Sequence, residues 1–328
     1  MKKQSPFLVA AAALLLAACS PTFKLFPDAR DPLREFTLEG QGDAKVLVLL
    51  VDGTLTDKAK RELVRTRSDT VRRVVTHLKK AEKDSNVRAV LLKINTPGGT
   101  VTASDLLYHE IKGFRERTGR PVVAAMMNMA TSGGYYISLP ADRIVAHPTT
   151  LTGSIGVVFF RPNAHSLLER AGVEINAQKT GKYKDTGSPF RPNSEDEIAI
   201  LQNLVEELGD RFHQLVREHR DISPEAMETI ATARIFLAPE AKELGLVDKI
   251  GYLDDALDAA RELADLPEDA RVIIYRRTEY PDDTIYNSAS TQGPVFSGTP
   301  VLNLSLPESL IPPEPGFHYI WHPGASAP

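Results

Sequence analysis

The 328-residue sequence has one cysteine, at position 19, and one tryptophan, at position 321. A lone cysteine excludes an intramolecular disulfide. Charge of either sign is in short surplus. The 39 basic and 43 acidic residues leave a formal net charge of −4, so composition gives no reason to expect nucleic acid as a partner. No cysteine and histidine cluster has metal-ligand spacing, and neither a metal nor a cofactor is expected. The apolar run PFLVAAAALLLAA at 6–18 is short for a bilayer span. It follows Lys2 and Lys3 and ends in small residues, the pattern of a secretory signal over residues 1–18.

What is there is an ordinary globular composition, 42% hydrophobic and 25% charged, long enough for one large or two ordinary domains. Residues 19–45 carry proline, glycine and charge without periodicity and read as a tether. From Val46 onward apolar strands alternate with helical patterns. VLVLLVDGTL, AVLLKI and PVVAAMMNMA read as buried strands, and DRIVAHP and VEINAQ as further strand candidates. DTVRRVVTHLKKAEKDS, VTASDLLYHEIKGFRERTG and SEDEIAILQNLVEELGDRFHQLVREHR have helical spacing, the last opening on a Ser194–Glu197 capping box. Continuous apolar strands between helices predict an α/β domain over 46–277, a parallel sheet covered by helices. Residues 278–328 hold many prolines and little periodicity and read as an irregular tail.

AVLLKINTPGG and VVAAMMNMATSGG form a weak repeat, each an apolar strand ending in two glycines before a helix. In a parallel sheet both turns emerge at one end. Helix N-termini there leave N–H groups unsatisfied, which suits an anion or a developing oxyanion. Ser132 lies in the second turn. Locally it reads either as a helix cap or as a nucleophile, and a nucleophilic serine needs a base. His147, with Asp142 before its strand, offers a triad on paper. Lys182 and Lys184 in GKYKDTGSPF offer the other route. A lysine acts as a base only when neutral, and bringing its pKa near 7 costs roughly 4–5 kcal/mol of burial and nearby positive charge.

TSGGYYIS, ADRIVAHPTTLTGSIGV, GKYKDTGSPFR and AKELGLVDKIG, with NTPGGT before them, resemble the signal peptide peptidase A family in family order over residues 46–255. These are bacterial serine–lysine peptidases with a Clp-protease and crotonase-like fold of repeated β-β-α units. The resemblance implies that Ser132 is the nucleophile and that Lys184, before aspartate in the GxxKD loop, is the general base. It implies that Ser154 of TGSIGV holds the lysine amine, and that Gly99 and Gly133 donate the oxyanion N–H groups. The family has no fixed histidine at His147, which sets the triad aside. Thr131 and Thr96 depart from the more usual alanine and serine without removing a catalytic group.

The catalytic unit occurs once, as in short family members. This implies a homo-oligomeric ring in which each serine meets a lysine from an adjacent unit. Implied substrates are peptides, chiefly remnant signal peptides, and unfolded proteins. LAACS resembles the lipobox of bacterial lipoproteins. It implies lipid on Cys19, a membrane tether in the bacterial cell envelope, and a domain facing the periplasm or exterior. Tyr135 and Tyr136 either line the substrate pocket or pack a short helix on the core. Two other readings stand beside this one, a crotonase-type acyl-CoA enzyme and a non-catalytic lipoprotein scaffold.

Overall fold

The computed structural model describes residues 32–58, 60–61, 66–67, 69–280, 283–287 and 315–322. Cys19 and the expected signal segment lie outside the described residues. The strands are β1 (Arg34–Glu39), β2 (Lys45–Asp52), the short pair β3 (Lys60–Arg61) and β4 (Thr66–Arg67), β5 (Val87–Thr96), β6 (Gly98–Thr100), β7 (Val122–Thr131), β8 (Arg143–Ala146), β9 (Leu151–Gly153), β10 (Val158–Phe160), β11 (Ile235–Leu237), β12 (Lys249–Ile250), β13 (Arg271–Arg276) and β14 (Gly316–Ile320). The helices are α1 (Thr70–Lys83), α2 (Val101–Thr118), α3 (Gly133–Tyr136), α4 (His165–Arg170), α5 (Glu195–His219), α6 (Pro224–Ala231), α7 (Ala238–Glu243) and α8 (Leu253–Leu263).

The main sheet has the order β1-β13-β2-β5-β7-β8-β12, with β9 pairing the C-terminal part of β7 and β11 pairing β9. Its centre is parallel, and β1 and β11 add antiparallel edges. The sheet is buried on both faces, which is why its strands read as unbroken apolar runs. Along β2, Leu47, Leu49 and Val51 join the core under α1, α2 and α5, while Val46, Val48 and Leu50 pack with Leu253, Ala256 and Leu257 of α8. Successive side chains of a strand point to opposite faces, so one strand feeds two cores. Caps fix the helix starts. Asp69 Oδ1 accepts from Arg72 N at 2.6 Å, Thr100 Oγ1 from Ala103 N at 3.2 Å, and Ser194 forms the expected capping box with Glu197.

Three segments depart from the sequence reading. Residues 34–39, read as tether, form β1 on the edge of β13. Residues 316–320, read as irregular tail, form the middle strand of a second, antiparallel sheet of order β10-β14-β6. VEINAQ forms no strand and is exposed throughout. Among the described residues it has no ladder partner, and an apolar run without one does not become a strand.

The two Gly-Gly turns come out where parallel topology requires. β5 and β7 are neighbours, with Val90 opposite Val122 and Thr96 opposite Ala130, so both chains leave the sheet at one end. The helix after the second turn is only one turn long, which leaves its start tucked against the β5–β6 turn.

Candidate active site

Ser132 ends β7 and opens α3. Its backbone has φ +52° and ψ −113°, an unusual region for a residue with a Cβ. Such a conformation costs on the order of 1–3 kcal/mol and persists only where surrounding bonds impose it. Here the Ser132 N–H donates to the Gly153 carbonyl at 2.7 Å, and the Ser132 carbonyl accepts from Tyr136 N at 2.9 Å. The side chain is 1% exposed, and its Oγ makes no hydrogen bond. The helix-cap reading is therefore corrected: the hydroxyl caps nothing. A buried hydroxyl without a partner is rare in a folded protein and calls for an explanation other than capping.

Ser154 is its neighbour by register. β7 and β9 run parallel with Thr131 opposite Gly153, so the next residues, Ser132 and Ser154, leave adjacent strands side by side. Strands so paired lie about 4.8 Å apart. Ser154 also has φ +52°, is 9% exposed, and is held by its N–H to the Arg234 carbonyl at 2.9 Å.

The glycines of the first turn face the second. Leu55 N donates to the Gly98 carbonyl at 2.9 Å, and Thr100 N to the Leu55 carbonyl at 3.0 Å. Alternation then turns the Gly99 N–H and carbonyl to the opposite edge, along which β14 runs with Tyr319 opposite Gly99. Gly98 has φ +101°. A methyl group on it would collide with the Tyr319 carbonyl and lie 2.8 Å from Gly133 N, and one on Gly133 would lie 3.1 Å from Gly98 Cα. Only glycine permits this approach of three backbones. Gly98 was missed in the sequence, although the first glycine of PGG, directly after proline, is the natural candidate for the turn. Its own N–H is taken by Thr96 Oγ1 at 3.0 Å, so it supplies space rather than a donor.

Lys184 stands apart. Every residue from 169 to 184 is exposed. The Lys184 N–H donates to the Gly181 carbonyl at 3.2 Å, and its amine has no hydrogen bond or ion pair among the described residues. The chain brings Ser132, Ser154, Gly98, Gly99 and Gly133 together, and among the described residues no hydrogen bond or ion pair joins Lys184 to them. No histidine substitutes for it. His147 Nδ1 meets Thr149 Oγ1 at 2.9 Å, while Asp142 accepts from Val122 N and pairs with Arg115, so no serine–histidine–aspartate set forms.

Tyr135 and Tyr136 do not line an open pocket. Both are fully buried. The Tyr135 hydroxyl donates to the Leu246 carbonyl at 2.9 Å and the Tyr136 hydroxyl to Asp105 at 2.7 Å. Tyr136 packs among Tyr108, Phe212 and Tyr319, with ring centroids 4.8–5.5 Å apart. Burial drives both phenols well above their ordinary range, with Asp105 adding to the effect at Tyr136. The pocket expectation yields to packing, because a four-residue helix on a sheet has no face left for solvent.

Residues 115–267 match Peptidase family S49. A putative signal peptide peptidase SppA of Enterococcus faecium is 36% identical over 82% of this chain and 76% of its own length. Protease 4 of Haemophilus influenzae is 33% identical over 74% of this chain, which spans 38% of that larger protein. Among solved structures, a 1510-N membrane-bound stomatin-specific protease mutant is 18% identical, with a TM-score of 0.41 over 66% of this chain and 85% of its own. A ClpP1 mutant from Listeria monocytogenes is 20% identical, with a TM-score of 0.42 over 64% and 94%. The sequence relatives displace the acyl-CoA and scaffold readings. The chain belongs to peptidase family S49, the family of SppA and Protease 4, and is a serine endopeptidase.

Proposed function

We propose that the chain cleaves peptides with a Ser132–Lys184 dyad, and that the dyad closes between two copies of the chain. Ser132 Oγ attacks the substrate carbonyl while neutral Lys184 of a neighbouring copy accepts its proton, with Ser154 orienting the amine. The N–H groups of Gly99 and Gly133 hold the oxyanion. The lysine ammonium then protonates the leaving amine, and water hydrolyses the acyl-enzyme.

The observation that carries this reading is the buried Ser132 hydroxyl. It is held in a strained backbone beside Ser154 and two glycine turns, with no base hydrogen-bonded to it among the described residues. The exposed character of the lysine segment supports the shared site. Leu167 is 70% exposed, Ile198 55%, Val173 49% and Ile175 47%, all within the stretch around Lys184. A contiguous patch of such side chains is what another chain covers, and in this proposal these residues form part of it. Covering it would also dry the lysine, which its role as a base demands.

A backbone strand is what pairs with Gly99, so in this proposal the peptide runs extended along the edge of β6 after β14, which takes that edge here, has left it. Among the described residues no helix is long and apolar enough to cross a membrane. Lipid on Cys19 supplies the tether in this proposal and keeps the enzyme where remnant signal peptides, its proposed substrates, accumulate. The test is hydrolysis of a fluorogenic apolar peptide by the parent, Ser132→Ala and Lys184→Ala. Activity in the parent and none in either variant is the expected result. An active variant removes that residue from the dyad.

A further inference from the structure

Lys184 is embedded in a set of charges that never touches it. Arg191 reaches back to the residue after the lysine, donating from Nε to Asp185 Oδ2 at 2.8 Å and from Nη2 to Asp185 Oδ1 at 2.6 Å. Its other edge meets Glu197 on the first turn of α5, Nη1 to Oε2 at 2.8 Å and Nη2 to Oε1 at 2.5 Å. Lys179 adds a bond to Asp185 at 2.6 Å. Glu197 is itself fixed, with a side chain only 3% exposed. It accepts from Ser194 N at 2.9 Å and from Thr186 Oγ1 at 3.2 Å. On the other side of the lysine, Lys182 Nζ and the Tyr183 hydroxyl both bond to Asp196 Oδ2, at 2.5 and 3.3 Å. The charged and titratable groups flanking Lys184, from the loop and from α5, are thus Lys179, Lys182, Tyr183, Asp185, Arg191, Asp196 and Glu197. Each of these groups has a partner, and the Lys184 amine has none among the described residues.

From this arrangement we infer that Arg191 is a positioning residue for the general base. It ties the Lys184 loop to the start of α5 and balances Asp185, the next residue in the chain, so that this carboxylate is not free to pair with the amine and hold it in its ammonium form. The inference rests on the reading of Lys184 as the base. Two features support it. The planar guanidinium meets both oxygens of Asp185 and both of Glu197, a fork geometry that a lysine in its place cannot reproduce. Hydrogen bonds from Arg191, then from Lys179, hold the Asp185 carboxyl well below the usual carboxylate range, so Asp185 carries its charge wherever the enzyme works and has to be balanced. An unbalanced carboxylate near an amine favours the charged amine.

The test is the pH profile of kcat/KM for the intact full-length protein and three variants, with folding checked by circular dichroism and subunit assembly by light scattering. Arg191→Gln leaves Asp185 balanced by Lys179 alone, and its acid limb is expected to move up by about half to one pH unit, with kcat falling and KM little changed. Asp185→Asn removes the opposing charge, and its limb is expected to move down. Arg191→Lys keeps the charge without the fork, and its limb is expected to stay near the parent position while kcat falls. A purely structural role would lower activity in the variants without moving the limb, and unmoved limbs in both Arg191→Gln and Asp185→Asn would overturn the inference. Limbs moving in the same direction would overturn it as well. Failure of the base assignment looks different: Lys184→Ala would then retain activity, whatever the Arg191 variants do.

Discussion

The two halves of the proposed dyad are built in opposite ways. Ser132 sits at the end of a central strand, 1% exposed, with its position imposed by backbone bonds from β9 and α3 and by the glycines of the β5–β6 turn. Lys184 sits in an exposed loop whose shape comes from side-chain ion pairs with the start of α5. The serine half is rigid because the sheet's core holds it. The lysine half is ordered by charge. In the proposed shared site, a second copy would cover the lysine half and leave the backbone bonds that hold Ser132 as they are.

The contrast makes predictions of decreasing size. Ser132→Ala and Lys184→Ala should each lower kcat/KM by about 10⁴-fold or more yet not lower the melting temperature, since neither side chain makes a hydrogen bond among the described residues. A lowered melting temperature in either, measured by calorimetry, would show an unrecognised structural role. Gly98→Ala should act on the serine half alone. A Cβ there meets the Tyr319 carbonyl and Gly133 N. Displacing the glycine turns should cost about 10²–10³ in kcat, measured with the peptide assay. Retained activity would separate Gly98 from the oxyanion site.

Two stability predictions sharpen the same contrast. Phe212, fully buried between Tyr136 and Tyr319, should lose about 3–5 kcal/mol on truncation to alanine. Phe190, 45% exposed beside the lysine loop, should change the stability of the isolated subunit by no more than about 0.5 kcal/mol. Urea unfolding of the two variants distinguishes them, and equal losses would mean that the lysine loop is core. Acid sensitivity should also come from the sheet side. His77 is 7% exposed, and burial, with Arg73, Arg277 and Lys80 nearby, lowers its pKa to about 3. The native state keeps it neutral while the unfolded chain protonates near 6.5. Its contribution is therefore complete above about pH 6.5 and declines as pH falls toward 3, by about 4–5 kcal/mol at most. His77→Leu should flatten that part of the pH–stability curve, and an unchanged slope would contradict the assignment.

Much of the serine half was legible in the sequence. Unbroken apolar strands and paired glycines follow directly from a parallel sheet buried on both faces, and the 35-residue repeat placed both turns at one end of it. What could not be read there depends on distant pairing. The β14 segment looks irregular because its ladder partners, β6 and β10, lie more than 150 residues earlier. Gly98 looks like any turn glycine until Gly133 and Tyr319 arrive against it. Tyr135 and Tyr136 were ambiguous because a surface pocket and a core use the same aromatic residues. The Arg191 fork was hidden in GKYKDTGSPFR, where spacing cannot reveal that one guanidinium holds two carboxylates.

The shared site is tested most directly by mixing. Ser132→Ala and Lys184→Ala subunits, each inactive alone, are dissociated, combined and reassembled, with exchange confirmed by mass spectrometry of differently labelled chains. A site built from two copies predicts that mixed assemblies recover peptide hydrolysis, because intact serines meet intact lysines of their neighbours. Confirmed mixed assemblies with no activity would contradict it and return Lys184 to the serine of its own chain.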